Sequence, residues 1–314
     1  HRVRLLLDEV FGSENFVSMI SYVTTSGFAQ ARGIGRSGDY ILWFAKNQAT
    51  MKVNSLWKYA PDRSAYSNVE LVDGTRRAMT KPEKEGQTPL PEGARVYRID
   101  NLTSQGAASQ QQPFEFQGKI FFPSRNTHWK ASYPAGMERL AAENRLHATE
   151  KSLYYVRYAD DFGFQSLTNL WTDTGIAGFT SDKRYVVQTS AKVVERCLHL
   201  VTEPGDLVLD PTCGSGTTAF ASEQWGRRWI TIDTSRVAAS IARERLLTAV
   251  FPSYELADAT RGIDGGLKYS TAARVTLGSI ANSEPAEEIV LVDQPLLKKN
   301  RTRVSGPFTF EALS

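Results

Sequence analysis

The stretch LVLDPTCGSGTTAF, from Leu207 to Phe220, constrains the fold more than any other part of the chain. Residues of strand type end at Asp210, and two glycines, Gly214 and Gly216, follow before a run of helix type. Glycine lets the backbone turn tightly under a ligand, and a helix that begins there directs unpaired N–H groups at that ligand. The stretch therefore predicts a strand, a ligand-binding turn and a helix.

A second strand pattern, RRWITID, ends at Asp233, and the helix pattern TSRVAASIARERLLTAV follows it. Repeated alternation of strand and helix favours a parallel sheet covered by helices. Neighbouring strand ends converge in such a sheet, so the Asp233 carboxylate can accept hydrogen bonds from both hydroxyls of a ribose. The turn and Asp233 together predict a nucleoside-containing cofactor.

The residues around the turn favour one type of cofactor. The string GSGTTA fits the G-x-G-x-x-G/A fingerprint of NAD and FAD sites, and such a turn can also be purely structural. Asp210 and Pro211 directly precede the loop, where a carboxylate is poorly placed beside a pyrophosphate. The same carboxylate suits a cationic ligand that carries an amino acid, such as S-adenosylmethionine. That ligand is favoured, and the two other interpretations stay open.

Composition limits the class of protein. With 41% hydrophobic and 23% charged residues, the 314-residue chain is typical of a globular protein. No apolar run approaches the roughly 18 residues of a membrane span, and no secretory signal opens the sequence, so we expect a cytoplasmic protein without a membrane partner. Two cysteines, Cys197 and Cys213, are too few for a disulfide framework or a zinc site, and no metal is expected.

The pattern of elements divides the chain into four predicted segments. Residues 1–48 are expected to form a partial α/β core, and residues 185–260 the cofactor-binding half of that core. Residues 49–184, where polar, proline-bearing stretches separate short aromatic segments, are expected to form an inserted irregular α+β region. Residues 261–314 are expected to be an extended C-terminal appendage. His1 lies inside the amphipathic pattern HRVRLLLDEVFG, which predicts a chain that begins within a structured element.

DPTCGSGTT resembles motif I of the DNA methyltransferases that modify exocyclic amino groups, usually D-P-F-x-G-S-G-T-T. YVVQTSAKVVERCLHLVTEPGDLVLD is similar to that family's motif X region. LLLDEVFGSENFV, DYILWFAKN and HWK…NLWTDT resemble its adenine-specific branch, which includes type III modification subunits. The segment order is that of the β class: catalytic block, target-recognition region, then motifs X and I. The resemblance implies a Rossmann-like parallel-sheet methyltransferase core, incomplete at its N-terminus, with target recognition in residues 49–184.

The same resemblance implies that S-adenosyl-L-methionine binds at the glycine turn, with Asp233 at the ribose. Motif X usually reads T-Q-K-P, whereas residues 187–190 keep the glutamine and lack the lysine and proline; Lys192 is a nearby candidate for the lysine's role. The implied cofactor-binding residues are Asp210, Pro211, Thr212, Cys213, Gly214, Ser215, Gly216, Thr217, Thr218, Asp233 and Gln188.

Double-stranded DNA is the implied partner. Residues 119–157 hold seven Lys and Arg against three Glu, and basic residues interleaved with aromatics suit phosphate contact and stacking. For any one of them an ordinary solvated loop is the alternative. The family also suggests a homodimer and an accompanying restriction subunit. The expected DNA-binding residues are Arg125, His128, Trp129 and Lys130.

The implied reaction is methylation of adenine N6 in specific DNA sequences, as part of a restriction–modification or related system, after the base is flipped out of the duplex. The family's catalytic tetrapeptide is D-P-P-Y, or S-P-P-Y in the cytosine branch, and the sequence contains no Pro-Pro pair. The resemblance places that motif before His1, so no catalytic residue is assigned and the chain alone is expected to be inactive. The alternative is a non-catalytic module that binds DNA or a subunit and keeps a vestigial nucleotide-cofactor site.

Overall fold

The computed structural model describes residues 2–24, 34–59, 65–175 and 189–311. The chain divides into two compact units: the first comprises residues 1–57, 166–270 and 291–314, and the second residues 58–165 and 271–290. The functional roles predicted for residues 1–48, 49–184, 185–260 and 261–314 stay predictions. In the part of the chain that the structure describes, no helix is both long enough and apolar enough to cross a membrane.

The elements are numbered in chain order. The helices are α1 (Arg2–Phe11), α2 (Lys81–Lys84), α3 (Ala135–Ala142), α4 (Ala191–Val201), α5 (Thr217–Gln224), α6 (Arg236–Leu247) and α7 (Leu277–Ala281). The first strands are β1 (Phe16–Val23), β2 (Gly38–Phe44), β3 (Trp57–Tyr59), β4 (Asn68–Glu70), β5 (Arg76–Ala78), β6 (Arg95–Asn101), β7 (Thr103–Gln105), β8 (Phe114–Phe116), β9 (Lys119–Phe121) and β10 (Thr127–Trp129). The others are β11 (Leu146–Ala148), β12 (Leu153–Tyr158), β13 (Phe164–Ser166), β14 (Leu170–Trp171), β15 (Leu207–Asp210), β16 (Arg228–Thr231), β17 (Phe251–Tyr254), β18 (Tyr269–Arg274), β19 (Glu287–Pro295) and β20 (Leu297–Arg303).

The order α4–β15–α5–β16–α6 in the first unit confirms the predicted α/β alternation. Strands β15 and β16 pair in parallel, with Asp210 opposite Thr231, and α5 forms the crossover between them. Helix α6 begins where the sequence suggests, because the Ser235 side chain caps it by accepting a hydrogen bond from the Ala238 N–H. This alternation places both predicted acidic strand ends at one edge of the parallel pair.

A second sheet of the first unit has the order β14–β1–β2. Strand β1 runs antiparallel to β2 and parallel to β14. Ile20 of β1, Trp171 of β14 and Val193 of α4 are buried together and form the core of this region. The amphipathic N-terminal pattern forms helix α1, but its side chains Val3 and Val10 remain 62% and 72% exposed.

The second unit is of the α+β type that the sequence predicts. Its main sheet has the order β11–β12–β6–β4–β5, with every pairing antiparallel. In the same unit, Leu102, Met137 and Leu140 are fully buried in one hydrophobic cluster with α3 and α7. Arg145 and Asp161 form a buried bidentate ion pair at 2.6 and 2.8 Å, which satisfies two charges that burial would otherwise penalise.

The C-terminal residues contribute to both units. Strand β20 pairs antiparallel with β17, and Arg303 of β20 donates to Glu223 of α5 at 2.6 Å within the first unit. Helix α7 belongs to the second unit, where the carbonyl of Ala281 accepts a hydrogen bond from Arg139 of α3. Residues after the α/β alternation are therefore part of the folded structure of each unit.

Candidate cofactor site

The turn between β15 and α5 has a backbone that requires glycine at two positions. Gly214 and Gly216 have φ of +52° and +74°. A Cβ at Gly216 would lie 2.7 Å from the Cβ of Ala242 in α6, whereas a Cβ at Gly214 would meet nothing nearer than the Thr212 carbonyl at 3.9 Å. Gly216 is thus fixed by both conformation and helix packing, and Gly214 leaves the backbone open to a ligand.

Asp233 stabilises this turn from the end of the neighbouring strand. Its Oδ2 accepts a hydrogen bond from the Gly214 N–H, and its Oδ1 accepts one from the Ser235 N–H, both at 2.7 Å. The bond from Ser235 and then that from Gly214 lower the pKa of the Asp233 carboxyl. The carboxylate is therefore ionised at neutral pH and held beside the turn.

Asp210 forms a local turn of its own at the end of β15. Its Oδ1 accepts hydrogen bonds from the Thr212 N–H at 2.9 Å and from the Thr212 hydroxyl at 3.2 Å. Asx turns of this kind orient a carboxylate without help from distant residues. Asp210 is consequently held in position at the wall of the cavity described below.

Arg245 of α6 contacts the residues at the start of α5. The guanidinium Nη1 lies 3.2 Å from the Thr217 hydroxyl and 3.3 Å from the Ser215 carbonyl, and its carbon lies 4.4 Å from the centre of the Phe220 ring. Arg245 was not predicted from the sequence, because a basic residue in the last turn of a helix is common and carries no specific signal.

A cavity of about 320 Å³ lies over the turn. This volume falls within the range of small-molecule sites, roughly 300 to 1,000 Å³. The walls combine hydroxyls, a carboxylate and exposed backbone. They are formed by Thr189, Val194, Leu209, Asp210, Pro211, Thr212, Cys213, Gly214, Ser215, Thr217 and Thr218.

Most of the residues predicted to bind cofactor line this cavity, namely 210–215, Thr217 and Thr218. Gly216 and Asp233 are not lining residues but set the shape of the turn, Gly216 as the N-cap of α5. Gln188 lies outside the described residues. The lining also includes Thr189, Val194 and Leu209, which we did not predict. Thr189 belongs to the motif X stretch, whereas the other two have no signal beyond their position on α4 and β15.

Lys192 and Cys213 lie near the site, and the structure shows the surroundings of each side chain. Lys192 donates to Asp173 at 2.8 Å, alongside Arg196, and this pairing, led by Arg196, lowers the pKa of the Asp173 carboxyl. Lys192 is not among the described lining residues, and its role in place of the motif X lysine stays a prediction. Cys213 is 6% exposed, and burial raises the pKa of its thiol, which keeps it a neutral part of the wall.

The residues predicted to bind DNA occur in the second unit. Arg125 and Lys130 are exposed, and the Lys130 ammonium also donates to the Asn101 carbonyl at 2.7 Å. His128 is half-buried, with Nδ1 2.9 Å from the Gly106 carbonyl. Trp129 is only 3% exposed and belongs to the hydrophobic cluster of this unit. The expected stacking of Trp129 on DNA is therefore corrected: its ring supports the core and presents no free face.

Comparison with known proteins identifies the family. A family model described as DNA methylase (N6_N4_Mtase) matches residues 1–244, most of the chain. The chain belongs to this DNA methylase family. The family prediction made from motif I is confirmed, and S-adenosyl-L-methionine is the cofactor. Family membership leaves adenine N6 and cytosine N4 as acceptors.

Curated relatives of the methylase include restriction–modification enzymes. It is 26% identical over 257 residues to the type II methyltransferase M.EcaI of Enterobacter cloacae, covering 77% of this chain and 50% of the relative. It is 22% identical to a probable type III restriction-modification enzyme HindVI Mod subunit of Haemophilus influenzae, covering 78% of this chain and 39% of the relative. The chain thus spans about half the length, or less, of these relatives.

Solved structures give weaker similarity. A putative DNA modification methylase from Thermus thermophilus is 17% identical, covering 74% of this chain and 56% of the other, with a TM-score of 0.29. The M1.HpyAVI–SAM complex is 18% identical, covering 48% and 63%, with a TM-score of 0.22. At these TM-scores the superpositions add no argument, so the site is interpreted from its own residues.

The cavity of the methylase has the groups that S-adenosyl-L-methionine requires. Its amino-acid end carries a positive ammonium and a negative carboxylate, and the sulfonium is also cationic. The wall offers the Asp210 carboxylate for a cation and the N-terminus of α5 for an anion. The open face at Gly214 admits a ligand against the backbone. The residues present therefore fit this cofactor.

Proposed function

We propose that the protein to which this chain belongs transfers a methyl group from S-adenosyl-L-methionine to N6 of adenine in specific DNA sequences. The observation that carries the proposal is the cavity over the β15–α5 turn, where Asp210 and the glycine backbone line a site that Asp233 holds in shape. Membership of the DNA methylase family supports the reaction. The resemblance of the opening segments to type III modification subunits favours adenine as the acceptor.

Each end of the cofactor has a partner in this assignment. Asp210 would pair with the ammonium group, and the N–H groups at the start of α5 would bind the carboxylate. Asp233 would bind the ribose hydroxyls. Each Asp233 oxygen already accepts one backbone N–H, and each carboxylate oxygen has a further lone pair, so both hydroxyls can be accommodated without breaking the turn. Gln188 is assigned to the same site from the motif X resemblance.

The chemistry also needs a group that this chain does not supply. Bound S-adenosyl-L-methionine provides an activated methyl group, but the exocyclic amine of a base is a weak nucleophile because its lone pair delocalises into the ring. A carboxylate and a main-chain carbonyl that accept the amine hydrogens would overcome this, and the family's D-P-P-Y supplies them. No Pro-Pro pair occurs in the sequence, so we assign the catalytic residues to a segment outside it.

The second unit is assigned to DNA recognition. Its exposed Arg125 and Lys130 suit phosphate contact, and the positive excess of residues 119–157 supports a polyanionic partner. We place the whole protein in a restriction–modification or related system. A homodimer or a separate restriction subunit would be its protein partners.

Calorimetric titration of the purified chain with S-adenosyl-L-methionine tests the cofactor site. Asp210→Asn should weaken binding by about tenfold, because a neutral amide loses the attraction to the ammonium group. Asp258→Asn is the matched control. Asp258 forms the same kind of turn with Thr260, at 2.9 and 2.6 Å, and it does not line the cavity.

The outcomes separate the candidate functions. Binding that Asp210→Asn weakens and Asp258→Asn leaves unchanged supports the proposal. Binding of NAD in place of S-adenosyl-L-methionine would contradict it. Failure of both ligands to bind, together with retained DNA binding, would favour the alternative of a non-catalytic module with a vestigial cofactor site.

A further inference from the structure

A hairpin in the second unit presents an apolar surface to solvent. Strands β8 and β9 are joined by a turn at Gln117 and Gly118, whose φ of +51° and +74° are typical of a tight two-residue turn. Phe114 and Phe121 face each other across the hairpin and are 7% and 4% exposed, which anchors it in the hydrophobic cluster of the unit. The opposite face carries Ile120, paired with Glu115.

The outward positions of β9 and of the residue that follows it carry two large apolar side chains. Ile120 and Phe122 flank the buried Phe121 and are 63% and 54% exposed. A strand with one solvated face normally alternates apolar and polar residues, so Lys, Thr or Glu would be expected at these positions. An exposed apolar surface on a rigid support indicates a contact with another molecule.

The base of the hairpin is rigid. The Trp129 indole N–H donates to the Gln112 carbonyl at 3.0 Å, and the Tyr133 hydroxyl donates to the Pro113 carbonyl at 2.6 Å. Both acceptors directly precede β8. Because the residues that enter the hairpin are fixed to the core, Ile120 and Phe122 are held in place before any partner arrives, and ordering them costs little entropy on binding.

The charge around the hairpin fits a polyanion. Lys119 adjoins the turn, and Arg125 follows Phe122 in the next loop; both are exposed, as is Lys130. Between residues 101 and 137 the sequence contains one carboxylate, Glu115, and these three cations. Glu115 lies opposite Ile120 on the outward face, but three cations outnumber it in this segment. Apolar side chains in a segment of net positive charge suit a nucleic acid, whose bases lie between two rows of phosphates.

We propose that Ile120 and Phe122 form a wedge that inserts between the bases of duplex DNA, while Lys119 and Arg125 bind the adjacent phosphates. Phe and Ile are typical of the side chains that proteins insert between base steps. Such a wedge fills the gap that a base leaves when it is flipped out of the stack. The inference rests on the proposed function in one respect, that DNA is the substrate, and it adds the residues that open the duplex.

Fluorescence anisotropy with two labelled mixed-sequence duplexes tests the wedge. One duplex is intact, and the other has a single abasic site that provides a gap without the need to flip a base. The chain should bind the abasic duplex more tightly. The double variant Ile120→Ala/Phe122→Ala should lose this preference and bind the abasic duplex about tenfold more weakly than the unaltered chain does. Its salt dependence should be unchanged, because no cation is removed.

Two further variants make the result decisive. Val72→Ala removes a 79% exposed apolar side chain elsewhere in the same unit and should leave both affinities unchanged. Phe122→Lys adds a cation and removes the aromatic half of the wedge, leaving Ile120 in place. If only charge matters it will tighten binding to both duplexes, and if the wedge matters the preference for the abasic duplex will be lost. Circular dichroism should show that all variants remain folded, since these side chains are exposed.

Equal binding of both duplexes by the unaltered chain, or tighter binding by Phe122→Lys with the preference retained, would overturn the inference. So would unchanged DNA binding in the double variant together with loss of a dimer in sedimentation, which would show that the hairpin contacts a second copy. Absence of any DNA binding overturns both the wedge and the DNA-recognition role. The cofactor titration with Asp210→Asn is independent of that result, so failure of the wedge alone can be recognised.

Discussion

The Oδ2 atom of Asp233 accepts a 2.7 Å hydrogen bond from the backbone N–H of Gly214, nineteen positions earlier in the chain. The acidic residue assigned to the cofactor's ribose is therefore also a structural support of the glycine turn. Any change at Asp233 acts on two parts of the site at once, because the turn forms the wall of the cavity.

Asp233→Asn should lower the affinity for S-adenosyl-L-methionine by tenfold or more, roughly the loss of one charged hydrogen bond. The amide nitrogen of asparagine is a donor. It would face one of the two backbone N–H groups, and that N–H would then lack an acceptor. Calorimetric titration measures the effect. The control is Asp73→Asn, which changes an aspartate that accepts the Thr75 N–H at 2.8 Å in an exposed turn of the second unit. Equal affinity of Asp233→Asn and the unaltered chain would contradict the assignment.

Gly216→Ala should destabilise the first unit by about 2–4 kcal/mol for two reasons. Alanine is strained at the positive φ of this position, and its Cβ would lie 2.7 Å from the Cβ of Ala242. Gly74→Ala is the control for conformation alone, since Gly74 has φ of +83° and open space around it. Urea unfolding followed by circular dichroism measures both. Adding Ala242→Gly should recover the steric part of the loss, and absence of recovery would show that the helix contact is unimportant.

Acid should destabilise the first unit through His199. The ring is 3% exposed, neither nitrogen has a hydrogen-bond partner among the described residues, and burial lowers its pKa to about 3. Since the folded-state pKa lies below the usual 6.5, the folded state favours the neutral ring. Stability from this residue is complete above about pH 6.5 and falls towards pH 3 by roughly 1.4 kcal/mol per pH unit.

His199→Phe keeps a ring beside Trp225, whose centre lies 4.3 Å from that of His199, and removes the titration. Urea unfolding at several pH values should show a flatter decline below pH 6.5 for this variant than for the unaltered chain. Identical declines would mean that other groups account for the acid sensitivity.

Alanine substitution should change DNA binding at Arg125 and protein stability at Trp129. Arg125→Ala removes an exposed cation, so it should leave stability unchanged. It should reduce the magnitude of the slope of log DNA affinity against log salt concentration by about 0.9. Trp129→Ala removes a 3% exposed ring and should cost about 3–5 kcal/mol of stability. DNA anisotropy at several salt concentrations, with urea unfolding, measures both. A stable Trp129→Ala chain with weakened DNA binding would restore the original assignment of this residue to DNA contact.

The parts of the fold that the sequence predicts are those governed by local patterns. Turn chemistry and periodicity placed β15, α5, β16 and α6, and the convergence of parallel strand ends placed Asp233 near the glycine turn. The role of Arg245 was not predictable, because its contacts with Thr217 and Ser215 depend on how α6 packs against α5.

The burial of Trp129 could not be predicted from the sequence either, because it also depends on tertiary packing. The same pattern of basic and aromatic residues occurs around exposed side chains and around buried ones. Its burial depends on the hydrophobic cluster that it shares with Leu102, Phe114 and Leu153, which are distant in sequence. Local composition therefore identifies a candidate surface but does not separate the side chains that reach solvent from those that support them.

Helix α1 keeps Val3 and Val10 largely exposed, and Leu6 is 61% exposed between them. Environment-sensitive dyes that fluoresce on apolar surfaces should bind such a stripe in the native protein. A dye-based melting assay would then begin from a raised fluorescence, and exposure of the buried clusters on unfolding would add to it. For this chain, the dye fluorescence before heating therefore reports whether α1 is covered, and the later rise reports loss of structure.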